Sequence, residues 1–311
     1  MSTNDLDARV AGYLLELRRK LDDSSSPYAF ASEFNHTVNN INTGLMGYID
    51  IAAKLGGNQA AEEVSKKLAE FKTKKDAIVG VIKGMGYKGA FDSTAFYENV
   101  WLAAQRMLSD AFQPIKDGIA SLSIEDSATV EQEANRLDQY LDGSGRLIGD
   151  IYKRGDEYIF RDSVGAREAA SAEAATVAYA EEKESAPGKK RVLVVDDEPT
   201  VRDVVARMLG AGGYDVYKAS GGQEAIQMLE EAHEAGKPYD GLVTDINMPN
   251  VSGKDVLEVA KRLRVGALAL TGRPEEISDA VKAGAHTGLG KPVVMKDLLP
   301  KVESALSQYR S

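Results

Sequence analysis

The sequence predicts a multidomain chain: an N-terminal all-α bundle followed by a C-terminal α/β domain, a doubly wound five-stranded parallel sheet. Three observations predict it. Residues 28–83 carry apolar side chains at alternating spacings of four and three, the seam of packed helices. Residues 162–190, "DSVGAREAASAEAATVAYAEEKESAPGKK", are rich in Ala, Glu and Ser and almost lack bulky apolar residues, as a linker does. Beyond 190, short apolar runs ("RVLVV", "VYKAS", "GLVTD", "ALALTG") alternate with helical patterns, which means a parallel sheet with helices on both faces. The expected units are 1–160 (helical), 161–190 (flexible linker) and 191–311 (α/β).

Bulk properties agree with two soluble domains. The chain has 311 residues, 43% hydrophobic and 28% charged. A net charge of −10 argues against nucleic acid as a partner, since phosphate binding wants a basic face. There are no cysteines, which removes thiol chemistry and Cys-ligated zinc. No apolar run approaches the roughly 20 residues of a membrane helix. The acidic start "MSTNDLDARV" lacks a signal peptide's apolar core. A cytoplasmic protein is expected.

Taken in order, residues 5–22 form an amphipathic helix with Leu6, Val10, Leu14, Leu17 and Leu21 on one stripe. "DDSSSP" breaks it, and Pro27 suits the first turn of the next helix. There Phe34, Val38, Ile41, Leu45, Tyr48, Ala52 and Leu55 make the seam, and "GGN" at 56–58 ends it. A second helix over 60–83 turns Val64, Leu68, Phe71, Ile78 and Ile82 inward. Such a hairpin cannot bury its seam alone, so a dimeric four-helix bundle, a homodimer through these helices, is expected. Residues 94–122 and 128–153 are two further helices, read as packing or dimer support.

In the α/β part, three acids stand at strand ends: Asp196 and Asp197 after the first strand and Asp245 after the third. Thr271 follows the fourth strand and Lys291 the fifth. Strand ends converge in such a sheet and form its ligand crevice. Clustered carboxylates raise one another's pKa. A divalent cation relieves this, and oxygen ligands favour Mg2+. The lysine and the hydroxyl suit a phosphoryl group.

These residues resemble a known family. "VLVVDDEP", "TDINMPNVSG", "LTGR" and "GKP" over 189–311 resemble the receiver domain of two-component response regulators, a flavodoxin-like fold. The resemblance implies that Asp245 is the phosphoacceptor. Asp197, Asp245 and the backbone carbonyl of Asn247 would ligate Mg2+, with Asp196 helping through water. Lys291 and Thr271 would contact the phosphoryl oxygens, and Lys291–Pro292 would be cis. The Asn247 side chain and Arg273 would tune dephosphorylation. One departure is Gly288, where the family carries an aromatic switch residue. His286 and His233 are read as packing or surface residues.

The third histidine is His36. With ~100° per residue, it falls on the helix face opposite the seam, with Asn40 one turn on. On residues alone this is a wet helix face. However, "FNHTVNNINTGLMGYIDIA" resembles the dimerisation and phosphotransfer helix of sensor histidine kinases. The resemblance implies that His36 is a phosphohistidine site and that Asn40 orients water for phosphatase action. Two departures speak against an ATP-dependent kinase. Thr37 stands where the family has an acid, and no ATP-binding domain is found: "GMGYKG" at 84–89 ends a helix rather than following a strand.

The expected function is a phosphorelay protein that exchanges phosphate between His36 and Asp245, with histidine kinases or other relay proteins as partners. The alternatives are a non-catalytic dimeric adaptor with a degenerate kinase hairpin, and a phosphatase acting through Asn40. No DNA-binding element is seen after the receiver-like part.

Overall fold

A computed structural model of the chain describes residues 8–23, 27–84, 100–153 and 189–309. The 161–190 linker falls almost wholly outside them, as does most of "GMGYKG". The N-terminal part consists of α1 (Ala8–Asp23), α2 (Pro27–Lys54), α3 (Gln59–Gly84), α4 (Leu102–Ala120) and α5 (Ser127–Lys153). Pro27 opens α2 in the first turn, where a missing N–H costs nothing. Gly57 turns the chain at φ +60°, and the Asn58 side chain caps α3 by accepting from the Ala61 N–H.

Helices α2, α3, α4 and α5 pack in a closed ring, with α1 laid against α2 and α5. This corrects the argument for a dimer: the hairpin's seam is covered by α4 and α5 of its own chain. Phe34 shows how. Its ring meets Trp101 edge-on at 4.6 Å and stacks on Tyr140 at 5.6 Å. Phe71 of α3 meets Phe112 of α4 at 5.5 Å. Leu55, at the end of the seam, is exposed.

The C-terminal part alternates β1 (Arg191–Val195), α6 (Pro199–Ala211), β2 (Asp215–Ala219), α7 (Gly222–Glu234), β3 (Gly241–Asp245), α8 (Gly253–Arg262), β4 (Gly266–Thr271), α9 (Ile277–Ala283), β5 (Thr287–Gly290) and α10 (Met295–Leu306). A 3-10 turn, Pro274–Glu276, precedes α9. The five strands are parallel in the order β2-β1-β3-β4-β5. The central β3 and β4 are buried along their whole length, as strands covered on both faces must be.

The two parts form one body. Helix α2 lies on α6, and the closeness of that crossing depends on small residues. A Cβ added at Gly47 would come within 2.4 Å of a Val204 methyl, and one at Gly44 within 2.8 Å of the Thr200 methyl. The bundle core runs without a break into Val201, Val204, Val205 and Met208 of α6, while the opposite face of the sheet has a separate core. Polar contacts ring the junction. Thr200 donates to Glu133 (2.9 Å), Arg207 pairs with Asp126 (2.6 Å), and Tyr13 donates to Glu198 (2.5 Å), which also pairs with Arg9. The Asp50 carboxylate accepts the first N–H of α10, from Met295, at 3.1 Å, a favourable place for an acid.

Candidate functional site

Strand register brings the acids together. The carboxyl ends of β1 and β3 are neighbours, so Asp196, Asp197 and Asp245 each bring a carboxylate oxygen within 4.8 Å of the others. Lys291 is fully buried and spans two of them, at 3.0 Å from Asp196 Oδ2 and 2.9 Å from Asp245 Oδ2. The Lys291–Pro292 bond is cis. Burial, aided by the Asp245 charge, raises the Asp196 carboxyl to about 8 against the pull of Lys291. Burial and Asp245 raise Asp197 too. Burial opposes the Lys291 charge, but Asp196 and Asp245 outweigh it and raise the lysine. The donor set is all oxygen and overloaded with negative charge, so it fits a hard divalent cation such as Mg2+.

Beside the acids, Thr271 does not face Asp245 through a hydrogen bond. Its hydroxyl donates to Glu276 Oε2 (3.1 Å) and accepts the Arg273 N–H (2.9 Å). The Asn247 side chain also donates to Glu276 (2.6 Å), while its backbone N–H reaches Asp245 Oδ1 at 3.4 Å. Glu276 is a site residue that sequence reasoning missed, since an acid in "RPEE" carries no motif. At Gly288 a Cβ would come within 2.7 Å of Ile277, so an isoleucine fills the space beside the position of the expected aromatic. His286 is exposed and bonded to Ser304 (2.9 Å), and His233 is exposed at the end of α7.

His36 requires a correction. It does lie opposite the bundle seam, but that face is not wet: it is pressed on the loop after β4. An added Cβ at Gly272 would stand 2.6 Å from His36 Nδ1 and 3.2 Å from its Cα. Among the described residues Nδ1 is buried without a hydrogen bond, and Nε2 lies 3.4 Å from the Asn40 amide nitrogen. Burial lowers the imidazole to about 4, against the attraction of Asp245 and with added repulsion from Lys291 and Arg273. Among the described residues no hydrogen bond joins His36 to Asp245. Arg273, expected to flank the acids, extends to the bundle and pairs with Glu33 at 2.8 Å.

Around the histidine lies a polar set with no sequence signature. Asn35 and Asn39 both donate to the Gly272 carbonyl, at 3.4 and 3.1 Å. Their own amide oxygens both accept from Lys75 of α3, at 2.5 Å each. Lys75 is fully buried and pairs with Asp76 at 2.7 Å. Burial lowers it to about 8.

Residues 192–303 match the response regulator receiver domain family. Curated relatives include the transcriptional regulatory protein AruR of Pseudomonas aeruginosa, 35% identical over 126 residues, or 39% of this chain and 50% of that one. PdtaR of Mycobacterium tuberculosis is 36% identical over 125 residues, covering 39% of this chain and 58% of that one. The sensor protein EvgS of Escherichia coli is 34% identical over 154 residues, covering 45% of this chain but 12% of its own. This chain therefore spans little more than half, or much less, of the length of these relatives. A solved receiver domain protein from Clostridium thermocellum matches at 30% identity and a TM-score of 0.35, over 39% of this chain and 97% of that one. No helix among the described residues is long and apolar enough to cross a membrane. The α/β part of the chain, with its three acids and its lysine at the strand ends, is a response regulator receiver domain.

Proposed function

We propose that this receiver accepts a phosphoryl group on Asp245 with Mg2+ and exchanges it with His36 of the attached bundle, as one station of a phosphorelay served by a histidine kinase or another relay protein. The observation that carries this reading is the position of His36: it is held on the loop next to the acid cluster, near enough for the charges of Asp245 and Lys291 to act on it. Asp197, Asp245 and the Asn247 carbonyl would hold the cation, which when bound supplies charge neutralisation for the phosphoryl oxygens. Lys291 neutralises the carboxylate that receives or releases phosphorus. In the transfer, an imidazole lone pair forms the N–P bond as the P–O bond to Asp245 breaks and the carboxylate leaves.

Burial helps this step. A ring kept neutral at pH 7 offers its lone pair without a neighbouring base, which answers the absence of an acid at Thr37. Thr271 and Arg273 would turn from Glu276 and Glu33 toward the phosphoryl oxygens. One observation favours hydrolysis as a second reading. The Asn40 amide oxygen is buried without a partner among the described residues, one turn from His36, suited to holding a water.

Intact mass, with acid and alkali stability of the phosphate, tests both after loading with a small phosphodonor and Mg2+. An acid-labile, alkali-stable phosphate that disappears in His36→Ala and in Asp245→Ala is expected. Identical behaviour of wild type and His36→Ala overturns the exchange. Slower decay in Asn40→Ala would establish the hydrolytic reading.

A further inference from the structure

The contact at Gly272 is built as recognition, and it stands whether or not phosphate passes through His36. Two side-chain amides converge on one backbone carbonyl of the receiver. An amide can turn either end toward such an acceptor, and a flipped Asn would present oxygen to oxygen. Lys75 removes that freedom. Its ammonium has only donors, so both Asn oxygens must face it and both NH2 groups must face Gly272. The ammonium's charge is met by Asp76 at 2.7 Å, and its other donors go to the two amide oxygens.

We propose that Lys75, Asn35 and Asn39 form a carbonyl clamp, and that the clamp together with His36 makes the bundle a docking surface selective for receivers with glycine directly after the β4 hydroxyl residue. The own receiver, with Thr271 followed by Gly272, is the occupant. The clamp reads only backbone, which every receiver offers. Selectivity comes from His36, whose Nδ1, Cα and carbonyl oxygen leave no place for a Cβ at 272. The amides pull the loop in, and the histidine rejects any loop with a side chain there. Attraction and exclusion act on the same residue, as specificity requires.

The roles divide cleanly. Lys75 touches neither His36 nor the acids, so it is a positioning residue that acts through two amides. Gly272 lies on the receiver side, outside the bundle core, so its substitution tests docking without touching the bundle's packing.

The test uses the full chain and hydrogen exchange of α2 and α6, with NMR of the Gly272 carbonyl carbon. Gly272→Ala is expected to speed exchange in 199–211 at least about tenfold, with exchange in α4 unchanged. Lys75→Met is expected to do the same and to move the Gly272 carbonyl resonance in a receiver otherwise unchanged, a shift that a role confined to bundle packing would not produce. Lys75→Arg should restore part of both. Unchanged α6 exchange in Gly272→Ala overturns the selectivity. An unmoved carbonyl resonance in Lys75→Met overturns the clamp. If Lys75→Met melts the bundle, Asn35→Asp with Asn39→Asp removes both amide donors while keeping oxygens for Lys75, and the carbonyl resonance decides again. Absence of phosphate exchange in the unaltered chain, with docking intact, would count against the phosphoryl-exchange reading alone.

Discussion

His36 shows how a residue can be readable in chemistry and misread in environment. Its spacing to Asn40 and its place opposite the seam follow from helical geometry, and both hold. What covers it could not be read, because the covering group is a glycine more than 230 residues away, joined by no periodicity. The acid cluster is the opposite case. Asp196, Asp197, Asp245 and Lys291 sit at strand ends, where a parallel sheet must gather them, so their convergence was legible. The buried environment of His36 makes a pH prediction. The docked ring is neutral, with its pKa lowered from 6.5 to about 4, so the undocked ring takes up a proton first. Docking is strongest above about 6.5 and weakens as pH falls from there toward 4. Hydrogen exchange of α6 against pH reads this directly, and His36→Gln should flatten the dependence over that range.

At the scale of elements, the helices were legible because their seams repeat, and the partners of those seams were not. Four- and three-residue spacing says that a helix has an apolar face. It does not say whether a copy or the same chain covers it. Here α4 and α5 do, through Trp101, Phe112 and Tyr140. The pair Gly44 and Gly47 reads in sequence as a weak spot in α2, and the structure gives it a purpose, since it lets α6 approach. Gly47→Leu would drive its side chain into Val204 and Met208. It should cost roughly 1–3 kcal/mol by urea unfolding and speed exchange in α6. Phe34→Ala, by contrast, empties a cavity between two aromatic rings, Trp101 and Tyr140. It should cost roughly 3–5 kcal/mol while leaving the acid cluster's phosphorylation rate unchanged.

For the whole molecule, the sequence suggested two units on a tether, and the junction makes them one. A linker composition argues for independence, but composition is silent on what the joined surfaces do. The shared core through Val201, Val204 and Met208, ringed by Glu133–Thr200, Asp126–Arg207 and Asp50–Met295, predicts common unfolding. Calorimetry of the full chain should show a single transition, and Gly47→Leu should split it. Residues 1–160 and 189–311 expressed as separate polypeptides should purify together, and Gly272→Ala should reduce their association. Two resolved transitions in the unaltered chain would sink the shared-core account.

The burial of α2 on both sides reaches beyond stability. From 31 to 50 every residue is buried, His36 and Asn40 in part and the rest fully. A helix with no free face has little room to drift. Almost any substitution there must satisfy the bundle, the receiver or both, so a mutational scan should find this stretch the least tolerant of the N-terminal part. Retuning of the junction during divergence would then fall to the other side of it, on α6 and on the loop at 272–276, where exposed positions still alternate with buried ones.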